Sequence, residues 1–388
     1  MSENEVINDL FLYNLRVVAK KFGLINDQIL SLSANNATTL LNIAEEYSFK
    51  PTNEDRLLSL LICAIIWENR SDKWEGLPSF LTRILIRIGL GTTAKMVNWD
   101  SEQNVFRSLG SLIDELHAVI KLSSHEVTIN QNKIVLSDFQ KRMWDAITNE
   151  SRIGISAPTS AGKSFVLINK ALEILSKGEG KIVFIVPTIS LINQVSSDLR
   201  KKAKQYSLKD IYITQTVNDI SLFKSSKIIY VLTQERAFSA LNHPDSNFDN
   251  IKLLIVDEVQ NIEKVPNENE ERAKILLNVI QEFKNDKNPD KIIISGPRLS
   301  NINELVKKWF GENGKSVSEE LPSVINVTYS IKKTKNKIEF FQYLPLKYCN
   351  SIEIKDDFNL SSKILDKVRF GEHANKFIAT LIRQSFAT

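Results

Sequence analysis

The stretch Ile153–Ser164, Ile-Gly-Ile-Ser-Ala-Pro-Thr-Ser-Ala-Gly-Lys-Ser, decides the fold. Its first four residues predict a short strand, and the amphipathic residues 163–175 predict a helix that follows at once. A tight loop between a strand and a helix offers backbone N–H groups and the positive end of the helix dipole to an anion. The stretch therefore fits a nucleotide phosphate-binding loop (P-loop), with Ala157 where the pattern usually has glycine.

The chemistry of a P-loop assigns a role to its polar residues. Gly162 lets the backbone approach the phosphates, Lys163 is expected to reach the β- and γ-phosphates of ATP, and Ser164 is expected to ligate Mg²⁺. The other residues expected to line the nucleotide are Pro158, Thr159, Ser160 and Ala161. An ordinary strand-to-helix turn is the alternative for this motif taken alone.

Two acids follow a second apolar run. Residues 253–256 (Leu-Leu-Ile-Val) predict a buried strand, and Asp257 and Glu258 come directly after it. Ligands bind at the carboxyl ends of parallel strands, so Asp257 is expected beside a Mg²⁺ at the P-loop. Glu258 is the candidate to polarise an attacking water. Surface acids that cap a strand are the alternative, which the order of the two motifs disfavours.

Strands and helices alternate through residues 153–310, which predicts a doubly wound parallel α/β sheet with right-handed crossovers. Near-continuous apolar runs, typical of strands buried on both faces, recur at residues 181–186, 227–232, 251–256 and 291–295. Apolar residues at helical spacing predict an all-α N-terminal domain. The predicted domains are 1–125 (helical), 126–330 (ATP-binding) and 331–388 (a connector, in which residues 360–384 look helical).

The composition bounds the function only loosely. The 388 residues carry a formal net charge of +4 and are 43% hydrophobic, which suits two or three cored domains. The small basic bias permits nucleic-acid binding without arguing for it. Cys63 and Cys349 lie too far apart for a metal or disulfide motif. The N-terminus lacks a signal peptide and the longest apolar run, 57–67, is too short to span a bilayer, so we expect a cytoplasmic protein without a membrane partner.

Six motifs over residues 136–330 resemble, in order, the first RecA-like domain of superfamily 2 helicases of the DExH/DEAD-box type, and most closely the Ski2-like branch. They are Phe139-Gln140 (Q motif), Ala157–Ser164 (motif I), Pro187–Gln194 (Ia), Thr233–Arg236 (Ib), Asp257–Gln260 (II) and Ser295–Leu305 (III). The resemblance implies a RecA-like sheet behind a helical N-terminal extension, ATP and Mg²⁺ as cofactors, and DNA or RNA as a partner.

The resemblance also implies roles for individual side chains. Gln140 would read adenine. The implied catalytic residues are Lys163, Asp257, Glu258 and Gln260. The implied contacts to the phosphate backbone of one nucleic-acid strand are Thr188, Ser190, Thr233 and Arg236. A helix N-cap or turn role is equally open for each of these four residues.

Two motifs depart from the family pattern. Gln260 stands where the Ski2-like branch usually has His, although an amide also hydrogen-bonds across a cleft. Residues 295–297, Ser-Gly-Pro, stand where the family usually has Ser-Ala-Thr, so a hydroxyl is lost and the rigid Pro297 is gained. These departures bear on unwinding more than on ATP binding.

No motif of the form Gln-x-x-Gly-Arg-x-x-Arg follows residue 295. The resemblance implies a second RecA-like domain that supplies arginines, so we expect this chain alone to bind nucleotide with weak or absent turnover. The chain is also similar to helicase subunits of bacterial anti-phage systems such as the Hachiman helicase, which implies a nuclease effector partner. A non-catalytic ATP- and nucleic-acid-binding sensor or scaffold is the main alternative. A P-loop ATPase that acts on protein partners is a third, disfavoured by motifs Ia and Ib.

Overall fold

The chain divides into two compact units, residues 1–121 with 321–388 and residues 122–320. The computed structural model describes residues 2–383 except 22, 27, 30, 72, 101, 103–104, 218–225, 244–247, 263–269, 298, 300–301, 321–324, 335–336, 345–346 and 354–375. Within this described part, no helix is both long and apolar enough to cross a membrane.

The helices and strands follow one another in the order that the apolar patterns predict through the centre of the chain. The helices are α1 (Glu3–Lys21), α2 (Ala34–Phe49), α3 (Asn53–Glu68), α4 (Leu77–Arg87), α5 (Gly91–Asn98), α6 (Leu112–Ser124), α7 (Asp138–Asn149), α8 (Lys163–Lys177), α9 (Ile189–Gln205), α10 (Gln234–Leu241), α11 (Glu270–Glu282) and α12 (Ile302–Phe310). The strands are β1 (Trp99–Asp100), β2 (Val105–Phe106), β3 (Glu126–Ile129), β4 (Asn132–Val135), β5 (Arg152–Ser156), β6 (Gly180–Ile185), β7 (Ile211–Thr214), β8 (Lys227–Leu232), β9 (Ile251–Val256), β10 (Lys291–Gly296), β11 (Lys315–Ser318), β12 (Ile325–Thr334), β13 (Lys337–Leu344), β14 (Tyr348–Glu353) and β15 (Lys376–Arg383).

Seven strands of the unit 122–320 form one parallel sheet in the order β11-β5-β10-β9-β6-β8-β7. Alternate residues of β6 show how both faces are covered. Ile182 and Phe184 pack in a core with α7, α8 and α9, whereas Val183 and Ile185 pack in a core with α10, α11 and α12. The predicted doubly wound parallel α/β fold, preceded in the chain by an N-terminal helical region, is confirmed.

Helix α12 packs directly on β5 because Gly154 has no side chain. A Cβ at Gly154 would collide with Val306 and lie 2.9 Å from Ile302. The segment before α12 is held to the end of the same strand, since Ser156 Oγ accepts a hydrogen bond from Leu299 N at 2.8 Å and donates one to Leu299 O at 3.1 Å. These contacts fix the segment after β10 beside the start of the P-loop.

The other unit joins the N-terminal helices to an antiparallel sheet in the order β14-β13-β12-β15. Buried side chains of this sheet share one core with the helices; they are Ile331, Ile338, Phe340 and Ile352. The rings of Phe11 in α1 and Tyr348 in β14 meet edge to face, with centroids 5.1 Å apart. The sheet therefore completes the core of the helical unit.

The helical prediction for residues 360–384 is wrong where the structure describes them. Residues 376–383 form β15, which pairs antiparallel with β12 from Ile325 opposite Arg383 to Lys332 opposite Lys376. Residues 360–375 lie outside the described residues. A strand here depends on a partner from another part of the chain, which the spacing of apolar residues along one segment does not register.

Replacement of Phe340 by Ala is expected to lower the free energy of unfolding by about 3–5 kcal/mol, because it removes a ring that is 0% exposed from the shared core. Urea unfolding followed by circular dichroism measures this loss. The matched control is Phe49→Ala, because Phe49 is 68% exposed and its removal leaves no cavity. Equal losses for the two variants would contradict a shared core.

Candidate nucleotide-binding site

The loop between β5 and α8 has the shape of a phosphate cradle. Thr159–Ala161 form one 3₁₀ turn, and Gly162 follows with φ +81° and ψ +28°, a left-handed conformation that glycine adopts without strain. A Cβ at Gly162 would also collide with Gln140 Nε2. Gly162 is thus required both by its backbone and by a close neighbour, and a loop of this shape that opens a helix fits a phosphate group.

Exposure divides the side chains of the loop by chemistry. The exposed or partly exposed hydroxyl residues are Thr159, Ser160 and Ser164. The buried residues are the apolar Ala157, Pro158 and Ala161 and the charged Lys163. The loop therefore offers hydroxyl groups to a ligand and anchors itself by its apolar side chains.

Gln140 connects α7 to the P-loop. Its Oε1 accepts a hydrogen bond from Ser137 N at 3.0 Å, and Ser137 Oγ in turn accepts one from Gln140 N at 3.4 Å, which is a capping box at the start of α7. Gln140 Nε2 donates to Ala161 O at 3.3 Å. Recognition of adenine by Gln140 stays a prediction, while contact with the loop is a feature that sequence reasoning missed.

A buried lysine holds α7 against α8. Lys170 is 3% exposed, and its Nζ donates to Thr148 Oγ1 at 2.8 Å and pairs with Glu173 at 2.9 Å. It also lies 4.4 Å from the ring centroid of Trp144. Because Thr148 and Trp144 belong to α7, these contacts fix the helix that carries Gln140 relative to the P-loop helix.

Lys163 lies inside the loop that it follows. Its side chain is 4% exposed, and Nζ donates to Ala157 O at 2.6 Å and to Pro158 O at 3.2 Å. Burial lowers the pKa of Lys163, and the nearby carboxylates of Asp257 and Glu258 oppose that shift. An anion bound in the loop would compete with the two carbonyl groups for this ammonium group.

Asp257 lies at the same edge of the sheet. It follows β9, its backbone N–H donates to Ile185 O at 2.9 Å, and its Oδ1 accepts a hydrogen bond from Ser295 Oγ at 2.6 Å. Burial raises the pKa of Asp257, although the Ser295 hydrogen bond and Lys163 favour the charged form. Lys163 and Asp257 are therefore close enough for their charges to interact, while their roles toward phosphate and Mg²⁺ stay predictions.

Glu258 and Gln260 follow in an unusual backbone conformation. Glu258 has φ +60°, which costs a residue with a side chain of order 1–3 kcal/mol. Gln260 Nε2 donates a hydrogen bond to Glu258 Oε2. The two residues form one unit, in which an amide fixes the carboxylate expected to act on water.

Both threonines predicted to contact nucleic acid cap helices. Thr188 Oγ1 accepts a hydrogen bond from Leu191 N at 3.2 Å at the start of α9, and Thr233 Oγ1 accepts one from Arg236 N at 3.3 Å at the start of α10. Thr188 and Ser190 are exposed, whereas Thr233 is 6% exposed. Arg236 is exposed and donates to Gln215 O at 3.3 Å. Contact with phosphates stays a prediction for all four.

Sequence reasoning also missed Arg272, in α11. Its Nε donates to Glu235 Oε1 at 2.8 Å and its Nη2 donates to Pro187 O at 2.9 Å. Arg272 therefore links the segments of motifs Ia and Ib, which lie far apart in the sequence. No local pattern around Arg272 indicates this role, because both partners come from other strand ends.

The P-loop lysine and the acid after β9 both lie in a stretch that is similar to a known family. Residues 137–296 match the DEAD/DEAH box helicase family. Putative helicase 7 of Sulfolobus islandicus filamentous virus is 25% identical over 229 residues, which cover 58% of this chain and 34% of that protein. The ATP-dependent DNA helicase Hel308 of Thermoplasma volcanium is 23% identical over 198 residues, which cover 51% and 28%. Residues 137–296 are thus similar to the domain of DEAD/DEAH box helicases.

Other helicases match over similar shares of the chain. Hel308 of Thermoplasma acidophilum is 26% identical over 175 residues, which cover 45% of this chain and 25% of that protein. The chain therefore spans about a third or less of the length of each of these three relatives. The structure of the DUF1998 helicase MrfA matches with 17% identity and a TM-score of 0.39, over 46% of this chain and 29% of MrfA. The structure of the UvsW helicase of bacteriophage T4 matches with 20% identity and a TM-score of 0.36, over 51% of this chain and 65% of UvsW.

Asp257→Asn is expected to stabilise the metal-free protein at neutral pH. Burial raises the pKa of Asp257 above its ordinary value of 3.8, so the native carboxyl keeps its proton to a higher pH than the unfolded one. Between the two pKa values the native state binds more protons, and stability falls as the pH rises. The variant's extra free energy of unfolding, relative to the wild type, should vanish below pH 3.8 and grow above it. It should become constant once the native carboxyl is ionised.

Urea unfolding in buffer without Mg²⁺, from about pH 4 to pH 8, measures this difference. The matched control is Asp286→Asn, an exposed acid in the same unit, which should change stability by no more than about 0.5 kcal/mol. A variant less stable than the wild type throughout this range would refute the effect of burial on Asp257.

Proposed function

We propose that this chain forms part of an ATP-dependent nucleic-acid helicase or translocase of superfamily 2, of the Ski2-like type. The observation that carries the proposal is the meeting of Lys163 and Asp257 at the carboxyl edge of the parallel sheet, behind a loop with a left-handed Gly162. A buried ammonium and a partly buried carboxylate in such a place suit a phosphate group with a divalent cation.

ATP hydrolysis assigns a task to each residue of the site. The P-loop and Lys163 hold the phosphates, and Ser164 and Asp257 hold Mg²⁺. Mg²⁺, when bound, supplies positive charge that neutralises the phosphate oxygens. Glu258 accepts a hydrogen bond from the attacking water and orients it. Ser295 and Gln260 keep the two carboxylates in place through the hydrogen bonds that they donate.

The strand of nucleic acid would lie along the helix starts of α9 and α10. The exposed side chains there include Thr188, Ser190 and Arg236, and Arg272 bonds to Pro187 and to Glu235, which lies near Thr233. Hydroxyl groups and helix N-termini bind phosphates without reading bases. The proposal therefore covers DNA and RNA alike.

The proposed function requires a second RecA-like domain and involves a nuclease subunit as a partner. A second RecA-like domain would supply the charge that stabilises the transition state, so this chain alone would turn ATP over weakly. A role in anti-phage defence with a nuclease effector subunit is the biological setting we propose. The second candidate function is a non-catalytic ATP- and nucleic-acid-binding sensor or scaffold, which the Gly296-Pro297 form of motif III favours.

Lys163→Ala is expected to weaken binding of a fluorescent ATP analogue with Mg²⁺ by roughly 10- to 100-fold, because it removes a charge-assisted contact to the phosphates. Fluorescence titration measures the change. The matched control is Lys177→Ala at the far end of the same helix, where the lysine side chain is 72% exposed, and it should leave binding unchanged. Equal binding by all three proteins would refute the nucleotide site.

Phosphate release from the same samples, with and without single-stranded DNA or RNA, separates the two candidate functions. Slow release that depends on Lys163 is the outcome expected of a motor that lacks its second domain. Binding without any release favours the sensor. Robust release on addition of nucleic acid alone would show that the second domain is dispensable.

Arg272→Ala is expected to weaken binding of single-stranded nucleic acid by roughly two- to fivefold, because motifs Ia and Ib lose the contact that joins them. The slope of log affinity against log salt should stay the same, since a lost phosphate contact would change it by about 1. Fluorescence anisotropy at several salt concentrations measures both.

The matched control for Arg272→Ala is Arg142→Ala. Arg142 has similar side-chain exposure, 54% against 49%, and also pairs with one glutamate. It belongs to α7 and has no contact to motif Ia or Ib in the described structure, so its removal should not weaken binding. Unchanged affinity of Arg272→Ala, or the same loss in both variants, would contradict the linking role.

A further inference from the structure

Gln260 and Gly296 lie against each other, one after β9 and the other at the end of β10. A Cβ built on Gly296 would lie 2.9 Å from Gln260 Oε1 and 3.0 Å from Leu299 Cδ1. The backbone of Gly296 does not adopt a positive φ and continues the strand, so its conformation would suit any residue. An added side chain at this position would therefore require Gln260 or Leu299 to shift.

The orientation of the Gln260 amide is set by Glu258. Gln260 Nε2 donates to Glu258 Oε2, so Oε1 has to face Gly296. The opposite orientation would bring the amide oxygen against the carboxylate oxygen, which repels it. Oε1 is buried and has no hydrogen-bond partner among the described residues. The amide therefore stays in this place because Glu258 holds its other end.

The end of β10 reaches both acids of the site. Ser295 donates directly to Asp257, and Gly296 touches the residue that donates to Glu258. The carbonyl group of Gly296 also accepts a hydrogen bond from Ala157 N, at the start of the P-loop, at 3.3 Å. A displacement of Gly296 would thus shift Gln260 and, through it, the carboxylate of Glu258.

We propose that Gln260 and Gly296 are a matched pair of positioning residues, in which the absent side chain of Gly296 makes room for the amide that holds Glu258 for catalysis. The two departures from the helicase pattern, Gln in motif II and Gly in motif III, are then one adaptation. Any side chain at position 296 pushes Gln260 away and releases the carboxylate. This role of the pair rests on the proposed ATPase function, whereas the contact between the two residues does not.

A double-mutant cycle tests the contact without nucleotide. Gly296→Ala should lower the midpoint of thermal unfolding by about 2–4 °C, and most of this loss should disappear when Gln260→Ala is present. The matched control is Gly178→Ala, where a Cβ would meet no atom within 4 Å, and it should change nothing in either background. An equal loss with and without the Gln260 amide would assign the steric conflict to Leu299 and overturn the pair.

Steady-state phosphate release with saturating nucleic acid tests the effect on Glu258. Gly296→Ala and Gln260→Ala should each lower kcat by roughly tenfold with KM for ATP within about twofold, and the double variant should be no slower than Gln260→Ala alone. A raised KM with unchanged kcat, or losses that multiply in the double variant, would overturn the positioning role. A wild type that binds ATP but releases no phosphate would favour the sensor over the motor and overturn the role of the pair in catalysis, and the unfolding cycle would still decide whether the residues are paired.

Discussion

Burial of both faces of the parallel sheet is the constraint on which the rest of this structure depends. All six residues of β6 are buried, and β9 and β10 each have one residue that is not. The middle of a strand between two apolar layers disfavours charged side chains, and the charged residue of β6, Lys181, lies near its start and pairs with Asp249. Because the strands all run in one direction, the polar residues that follow them collect at a single edge.

The polar residues at that edge of the sheet lower the stability of the fold, because they are desolvated or strained. Lys163 is 4% exposed, Asp257 has a pKa raised by burial, and Glu258 has φ +60°. Each of these features is unfavourable alone, and each is held by a neighbour: two loop carbonyls for Lys163, Ser295 for Asp257 and Gln260 for Glu258. A site with strained and desolvated polar groups is the usual trade of stability for function.

The position of the P-loop depends on one contact made to the loop and on two that join the elements around it. Gln140 donates to Ala161 O from α7, and Lys170 holds α7 to α8. The hydroxyl group of Ser156 fixes Leu299, so the segment after β10 is tied to the strand that precedes the loop. Nucleotide binding in the loop would therefore act on α7 and on motif III through short, direct paths.

The central sheet can be predicted from the sequence alone, and the sequence alone also indicates the residues expected at the site. The strand, loop and helix around Gly162, and the acids after β9, are contiguous patterns in which local spacing and chemistry carry the information. The tertiary structure decided what depends on partners distant in the chain. Residues 376–383 form a strand because β12 pairs with them, and Arg272 links two loops that no local pattern connects to it. Gln260 and Gly296, which look like two separate departures in the sequence, touch because their strands are neighbours in the sheet.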